Sequence, residues 1–286
     1  MIKKKIAIAG HSGFIGSNLK YFLRQQGYSI IEINRSDFER DEIFLADKIE
    51  KSYAIINLAG EPIIQRWTVK NKRSITDSRL LTTQKLCKAT TQMNKKPNIF
   101  INASAIGIYE YDSKHDEHSD NYNNSFAGVL VNNWEESAVR NCTNVGKLVI
   151  ARFGIVLGNE GGAFSQFKEP AKYGFATILG SGKQFISYIH IYDLCNAIGF
   201  LLHSKGDGGI YNFTTPNPIS NKDFNKDLAK RLGKRTVKIP GMFLWLVFGK
   251  AADMLLKGQK VYPEKLLKEG FKFKFPTISD IFNDLL

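Results

Sequence analysis

Cysteine is scarce, with three in 286 residues at positions 87, 142 and 195, and there is no Cys-x-x-Cys and no Cys/His cluster. From that spacing neither a structural zinc site nor a disulfide framework is expected. Long apolar runs are also missing. The longest, such as Phe243–Phe248, are far too short to span a bilayer. The start, Met1-Ile2-Lys3-Lys4-Lys5-Ile6-Ala7-Ile8-Ala9, has the basic patch of a signal peptide, but Gly10, His11 and Ser12 interrupt it before an apolar h-region forms. The expectation is a cytoplasmic protein with no membrane partner. Repeats and low-complexity tracts are not visible.

Acidic residues are in deficit, 27 against 40 Lys and Arg, which leaves a formal charge of +13. The lysines are scattered, no block of five like charges occurs, and Lys outnumbers Arg, the residue favoured by dedicated phosphate readers. This pattern reads as charge spread over a whole surface, so no nucleic-acid partner is expected. Such a field would still attract a phosphorylated small ligand. Lys114-His115-Asp116-Glu117-His118 offers metal-ligating side chains, but it lies in a polar run, 111–124, that reads as an exposed loop.

What is present is the alternation of an α/β protein. Lys5–Ala9, Ser29–Ile33, Ala54–Leu58, Asn98–Ala103 and Leu148–Phe153 are short apolar runs of strand length. Ile15, Leu19, Phe22 and Leu23 follow the first at helical spacing, with Gly27 as a stop, and helical stretches fill 69–93 and 127–143. Strands alternating with helices imply right-handed crossovers and a Rossmann-type, doubly wound parallel sheet. Residues 1–213 are assigned to this domain and 214–286 to a smaller, mainly helical C-terminal substrate domain, with 158–187 contributing to the substrate side. Gly158-Asn159-Glu160-Gly161-Gly162 and Gly180-Ser181-Gly182 read as turns, and Pro216, Pro218, Pro240 and Pro263 punctuate the end. Leu244, Val247, Phe248, Ala251, Met254 and Leu255 form a helical stripe, expected to pack in the second domain's core or to form a homodimer or membrane-surface face.

The strongest chemical signal is Gly10-His11-Ser12-Gly13-Phe14-Ile15-Gly16, set between a strand and an amphipathic helix. Gly10 permits the turn off the strand, Gly13 lets backbone approach a pyrophosphate, and Gly16 lets the helix pack against the sheet. Free amides at the helix start then meet the anion. The second strand ends in Asn34-Arg35-Ser36 where an NAD-binding loop would carry an acid, and Glu32 lies too early to reach the ribose. A guanidinium can grip a 2′-phosphate, each charge-assisted contact contributing about 1.5–3 kcal/mol. The expected cofactor is NADP.

The glycine loop, Asn57-Leu58-Ala59-Gly60-Glu61-Pro62-Ile63, Arg66-Trp67, Ser78-Arg79-Leu80, Ala103–Tyr109, Trp134-Glu135, Arg152–Leu157, Ile189-His190 and Gly258-Gln259-Lys260-Val261 follow in order over nearly the whole chain. Together they resemble the atypical extended short-chain dehydrogenase/reductases described as epimerase family proteins or NAD-dependent epimerase/dehydratases. The resemblance implies that Gly10, Ser12, Gly13, Phe14, Ile15 and Gly16 hold the pyrophosphate. It implies that Asn34 and Arg35 hold the 2′-phosphate, that Leu58, Ala59 and Gly60 line the adenosine and ribose path, that Arg79 reaches the cofactor, and that Leu157 lies near the nicotinamide.

The superfamily's Tyr-x-x-x-Lys pair, whose ammonium lowers the phenol pKa for proton transfer, is missing. None of the eleven tyrosines has a lysine four residues on, and Phe126 and an aliphatic residue occupy the expected positions. Ser104, by resemblance, is the serine that bonds a substrate carbonyl. Tyr109 is either a proton donor or a pocket wall. His190 is a structural residue or a titrating one, and Asp193 a helix N-cap. Two functions stay open: an NADP-dependent oxidoreductase or epimerase acting on an unidentified small molecule, and a non-catalytic NADP(H)-binding regulatory module acting through protein partners.

Overall fold

The computed structural model describes residues 3–159 and 161–286; Met1 and Ile2 of the basic start, and Glu160 of the expected turn, lie outside the described residues. The first half alternates as anticipated: β1 (Lys5–Ala9), α1 (Phe14–Gln25), β2 (Ser29–Ile33), α2 (Glu42–Ile49), β3 (Ser52–Asn57), α3 (Val69–Thr91), β4 (Ile99–Ala105), the short β5 (Lys114–His115), α4 (Phe126–Asn141) and β6 (Lys147–Phe153). The helix starts are set by side chains: Thr68 accepts the amide of Asn71 before α3, and Ser125 that of Gly128 before α4. Helix α1 stops where Gly27 takes φ +85, with the Tyr28 amide returning to the Leu23 carbonyl.

From there come β7 (Ile155–Gly158), α5 (Gly162–Lys168), β8 (Phe175–Leu179), β9 (Phe185–Ile186), β10 (Tyr188–His190), α6 (Ile191–His203) and β11 (Gly209–Phe213). The C-terminal part adds β12 (Ile219–Ser220), α7 (Asn221–Leu232), β13 (Arg235–Ile239), α8 (Gly241–Phe248), α9 (Asp253–Leu256), β14 (Lys260–Val261), α10 (Glu264–Lys268) and α11 (Ile278–Leu285).

Six strands form one sheet in the order β11-β6-β4-β3-β1-β2, every neighbouring pair parallel. A parallel sheet must be covered on both faces. One face buries Ile6, Ile8, Ile56 and Ile101 against Leu19 and Leu23 of α1 and Leu194, Ile198 and Leu201 of α6. The other buries Ala7, Ile55 and Phe100 against Leu45 and Ile49 of α2 and Leu86 of α3. The chain leaves β1 for β2 on one side and returns to β3 on the other, so the winding reverses between β1 and β3. A crevice opens outside the carboxyl ends of the strands at such a point.

The remaining strands pair two by two and carry 155–190 onto the C-terminal segment: β8 lies beside β13, and β9 beside β12. Leu157, Phe164, Ile186 and Tyr188 share a core with Phe224, Leu228, Ile281, Phe282 and Leu285.

Four expectations are corrected. A sixth sheet strand, β11, escapes the sequence pattern. Cys87 and Cys142 are brought together as a disulfide between α3 and the end of α4, their Cα atoms 4.6 Å apart, while Cys195 is free and buried. The run 111–124 is not simply an exposed loop: β5 pairs with β14, and His115 is buried, stacked on Tyr109 at 4.8 Å. The apolar stripe is not a core: of its six members Ala251 alone is fully buried, and α8 has no buried residue.

Candidate cofactor cleft

The loop from β1 into α1 lies at the reversal point. Gly10 has φ +76, and a Cβ there would sit 2.7 Å from the Leu58 carbonyl carbon, so only glycine lets the first loop pack against Leu58-Ala59-Gly60. A Cβ on Gly16 would lie 2.1 Å from the Gly10 oxygen, which fixes that glycine by helix–strand contact. Gly13 is different. Its nearest obstacle is 3.5 Å away, so protein packing does not demand glycine there. The space is free on the ligand side. Gly13 is also the N-cap of α1, with no side-chain cap, and the first turn has no acidic residue. The amides at this helix start thus keep their donors for an anion. Ser12 is exposed at the tip, Ile15 packs on the core, and the Phe14 ring fills the space beside Gly158, Gly161 and Gly162.

The end of β2 is the second wall. The Asn34 side chain meets His11 Nε2 at 3.1 Å, and its backbone amide donates to Asp37 at 2.6 Å, which starts a short turn of 3-10 helix. Arg35 projects from that turn, 84% exposed, and donates to Glu61 at 2.5 Å. Glu32 is occupied elsewhere. Lys20 at 3.0 Å and Arg24 at 3.1 Å hold it, and the Lys20 hydrogen bond is the largest influence keeping its carboxyl below the usual range.

Arg79 approaches from α3. Its guanidinium carbon would lie 3.1 Å from a Cβ at Gly60, it stacks 5.3 Å from the Trp134 ring, and Nη1 donates to the Ile75 carbonyl at 3.1 Å. Burial pulls its pKa down to about 10, with Glu61 acting in the opposite direction. Below it, Asn57 donates to Thr83 at 3.0 Å and to Asn102 at 2.8 Å, while Trp134 donates to Thr83 at 2.9 Å. This fully satisfied network fixes the carboxyl ends of β3 and β4. Asn102 and Thr83 carried no sequence signal.

The two hydroxyls expected at the chemistry are both engaged by protein partners. Ser104 is buried and donates to Glu135, which also grips Arg152 through Nε at 2.8 Å and Nη2 at 2.7 Å. Tyr109 is fully buried, with its hydroxyl 2.9 Å from both the Asp116 carbonyl and Asn212 Oδ1, and with Arg152 over its ring at 4.8 Å. Burial pushes its pKa up to about 12, beyond use as a base near neutral pH. Phe126, at the start of α4, meets Trp67 edge-on at 4.9 Å, with Lys72 over its ring at 4.9 Å.

The Leu157 side chain packs in the C-terminal core. His190, not Asp193, caps α6, its Nδ1 accepting the Tyr192 amide at 3.2 Å. Asp193 instead accepts the amides of Lys274 and Phe275 at 2.9 and 2.8 Å.

The family described as "NAD dependent epimerase/dehydratase family" matches residues 6–213. This chain belongs to that family. Residues 239–285 match a second, described as "Domain of unknown function (DUF1731)". The "Epimerase family protein SDR39U1" of Homo sapiens is 31% identical over 293 residues, covering 99% of each chain. The "Epimerase family protein SAR0825" of Staphylococcus aureus (strain MRSA252) is 32% identical over 297 residues, again with 99% of both covered. A crystal structure of human SDR39U1 (isoform 2) with NADPH superposes with a TM-score of 0.91 at 30% identity, over 98% of both chains. Bacillus cereus UDP-glucuronic acid 4-epimerase, at 20% identity and a TM-score of 0.77, shares the fold.

Proposed function

We propose that this chain binds NADP(H) between β1 and β3 and acts as an oxidoreductase on a small molecule, without a tyrosine/lysine proton relay. The observation that carries the reading is the opening at Gly13 onto the uncapped start of α1. Three features favour the 2′-phosphorylated form. Arg35 projects at the end of β2, Glu32 is neutralised by Lys20 and Arg24, and the similar human protein is described with NADPH. The bound dinucleotide would supply a hydride. The chain's own residues would supply position: amides at α1 for the pyrophosphate, Arg35 for the 2′-phosphate, Arg79 for the path between them, and the C-terminal segment to shelter the reactive end. With Phe126 in the tyrosine position and Ser104 and Tyr109 committed to buried partners, the proton would come from water. That disfavours epimerisation, which begins by deprotonating an alcohol.

The same commitment of Ser104 and Tyr109 favours a second reading, a non-catalytic NADP(H)-binding module that signals to protein partners. Calorimetric titration with NADPH and NADH tests the shared part. NADPH should bind more tightly, and Arg35→Ala should weaken it by about 1.5–3 kcal/mol while sparing NADH. No heat with either nucleotide would overturn both readings. A screen of aldehydes, ketones and nucleotide sugars for loss of the reduced-nicotinamide absorbance separates them, since turnover supports the enzyme and tight binding without turnover supports the module.

A further inference from the structure

Helix α8 contains no polar side chain in eight residues, Gly241-Met242-Phe243-Leu244-Trp245-Leu246-Val247-Phe248, yet it lies at the surface. Leu244 and Phe248, one turn apart on one face, are half-buried. Met242, Phe243, Trp245, Leu246 and Val247 each keep 49% or more of their area exposed. Together they make a patch on the order of a few hundred Å², as large as the largest apolar patch of a typical monomer, which is often functional.

The rim of this patch is basic. Lys238 precedes the helix, Lys250 follows its terminal Gly249, and Lys257 adjoins Leu256, whose Cδ1 lies 3.1 Å from where a Gly241 Cβ would sit. Leu256 also closes on the turn at Gly180, just before Lys183. All four lysines are exposed. Residues 234–257 contain five basic side chains and one carboxylate, Asp253, already paired with Lys257 at 3.2 Å.

We propose that α8 docks this protein peripherally on an anionic lipid bilayer. The helix is about 12 Å long, and among the described residues no helix is long and apolar enough to cross a membrane. It would therefore lie in the plane of the interface, with Met242, Leu246 and Val247 among the acyl chains, Trp245 at headgroup level, and the lysines on lipid phosphates. Charge decides the occupant. Two-fold pairing of α8 with a second copy would set the basic rim against itself, and an uncharged surface would leave it uncompensated. The proposal replaces the expectation of no membrane partner, and it stands independently of the cofactor reading.

The test is sedimentation of the full chain with vesicles of phosphatidylcholine alone and of phosphatidylcholine with an equal part of phosphatidylglycerol. Partition onto the anionic vesicles should be stronger by about tenfold or more and should fall with added salt. Leu246→Glu should abolish it, and Lys238→Glu with Lys250→Glu should reduce it about tenfold or more. All three positions are exposed, so each variant should keep the wild-type thermal midpoint. Tryptophan emission should shift to the blue on anionic vesicles, and Trp245→Phe should remove that shift. Equal partition onto both vesicle types, no partition onto either, or partition unchanged by Leu246→Glu would overturn the proposal. So would a dimer in vesicle-free sedimentation equilibrium that Leu246→Glu dissociates, because the occupant would then be a second copy.

Discussion

Glu135 holds Arg152 through two hydrogen bonds, 2.8 and 2.7 Å long, and accepts a third from Ser104. All three side chains are buried. Helix α4 supplies the acid, β6 the base and β4 the hydroxyl, so the triad ties the helix to two neighbouring strands. Removing one partner of a buried pair strands the other charge, at a cost of about 3–5 kcal/mol. Glu135→Gln should approach that loss in chemical denaturation. Ser104→Ala should cost about 1–3 kcal/mol, the penalty of an unmet buried partner, and should leave NADPH affinity unchanged in calorimetry. A Ser104→Ala variant of full stability that fails in turnover would return Ser104 to the chemistry.

The two glycines nearest the proposed pyrophosphate should respond in opposite ways. At Gly16 an added Cβ would be 2.1 Å from the Gly10 oxygen, and the helix would have to move off the strand. Gly16→Ala should therefore lose several kcal/mol, as overpacked cores do at about 1–3 kcal/mol and occasionally more. At Gly13, with φ −74 and the nearest atom 3.5 Å away, alanine fits the protein. Gly13→Ala should keep the wild-type unfolding midpoint within about 0.5 kcal/mol and lose nucleotide binding. Parallel melting curves and titrations check both. Normal NADPH affinity in Gly13→Ala would place the phosphates elsewhere.

Much of this arrangement is readable from residue order, because its causes are local. The run Lys5–Ala9 and the glycine at its end specify a buried strand and a tight turn, and Leu19 and Leu23 sit one turn apart on the face that α1 buries. What escaped depends on partners distant in the chain. Strand β11 is five residues long, opens on glycine and carries Asn212, so it has no apolar run; pairing with β6, more than fifty residues earlier, makes it a strand. Cys87 and Cys142 are 55 residues apart and meet because α3 and α4 pack side by side. Ser104 and Tyr109 have the residue types of a reactive pair, and nothing near them in sequence announces that Glu135 and Asn212 will accept from their hydroxyls. Hydrophobic spacing in 244–255 reads as one helix, whereas the helix breaks at Gly249 between α8 and α9, and the spacing cannot say what covers either.

Arg79 is a half-buried cation that no carboxylate bonds among the described residues, and desolvation holds its pKa down near 10. Such a charge is a cost to the empty protein and a benefit once an anion arrives. Arg79→Met keeps the packing over Trp134 and removes the charge. Its stability without nucleotide should equal or exceed wild type by up to about 2 kcal/mol. Its NADPH affinity should fall by about 1.5–3 kcal/mol. Urea denaturation and calorimetry report the two effects separately. A variant that loses stability and keeps affinity would make Arg79 a structural residue.

His190 gives the fold an acid limit. Burial holds its pKa at about 4, against 6.5 for an unperturbed histidine, while Asp284 opposes that effect and Lys274 adds to it. Asp284 lies 3.3 Å from Nε2, and Phe275 packs on the ring at 4.2 Å. The folded state therefore binds its proton less readily than the unfolded chain does. Stability from this group is full above about pH 6.5 and drains away as pH falls toward 4, with a total loss on the order of 3 kcal/mol. Urea midpoints measured between pH 7 and pH 4.5 should fall along that slope. His190→Asn can still accept the Tyr192 amide as an N-cap and cannot titrate, so its profile should be flatter across the same window. If the two profiles run parallel, the loss of stability in acid belongs to the carboxylates and not to His190.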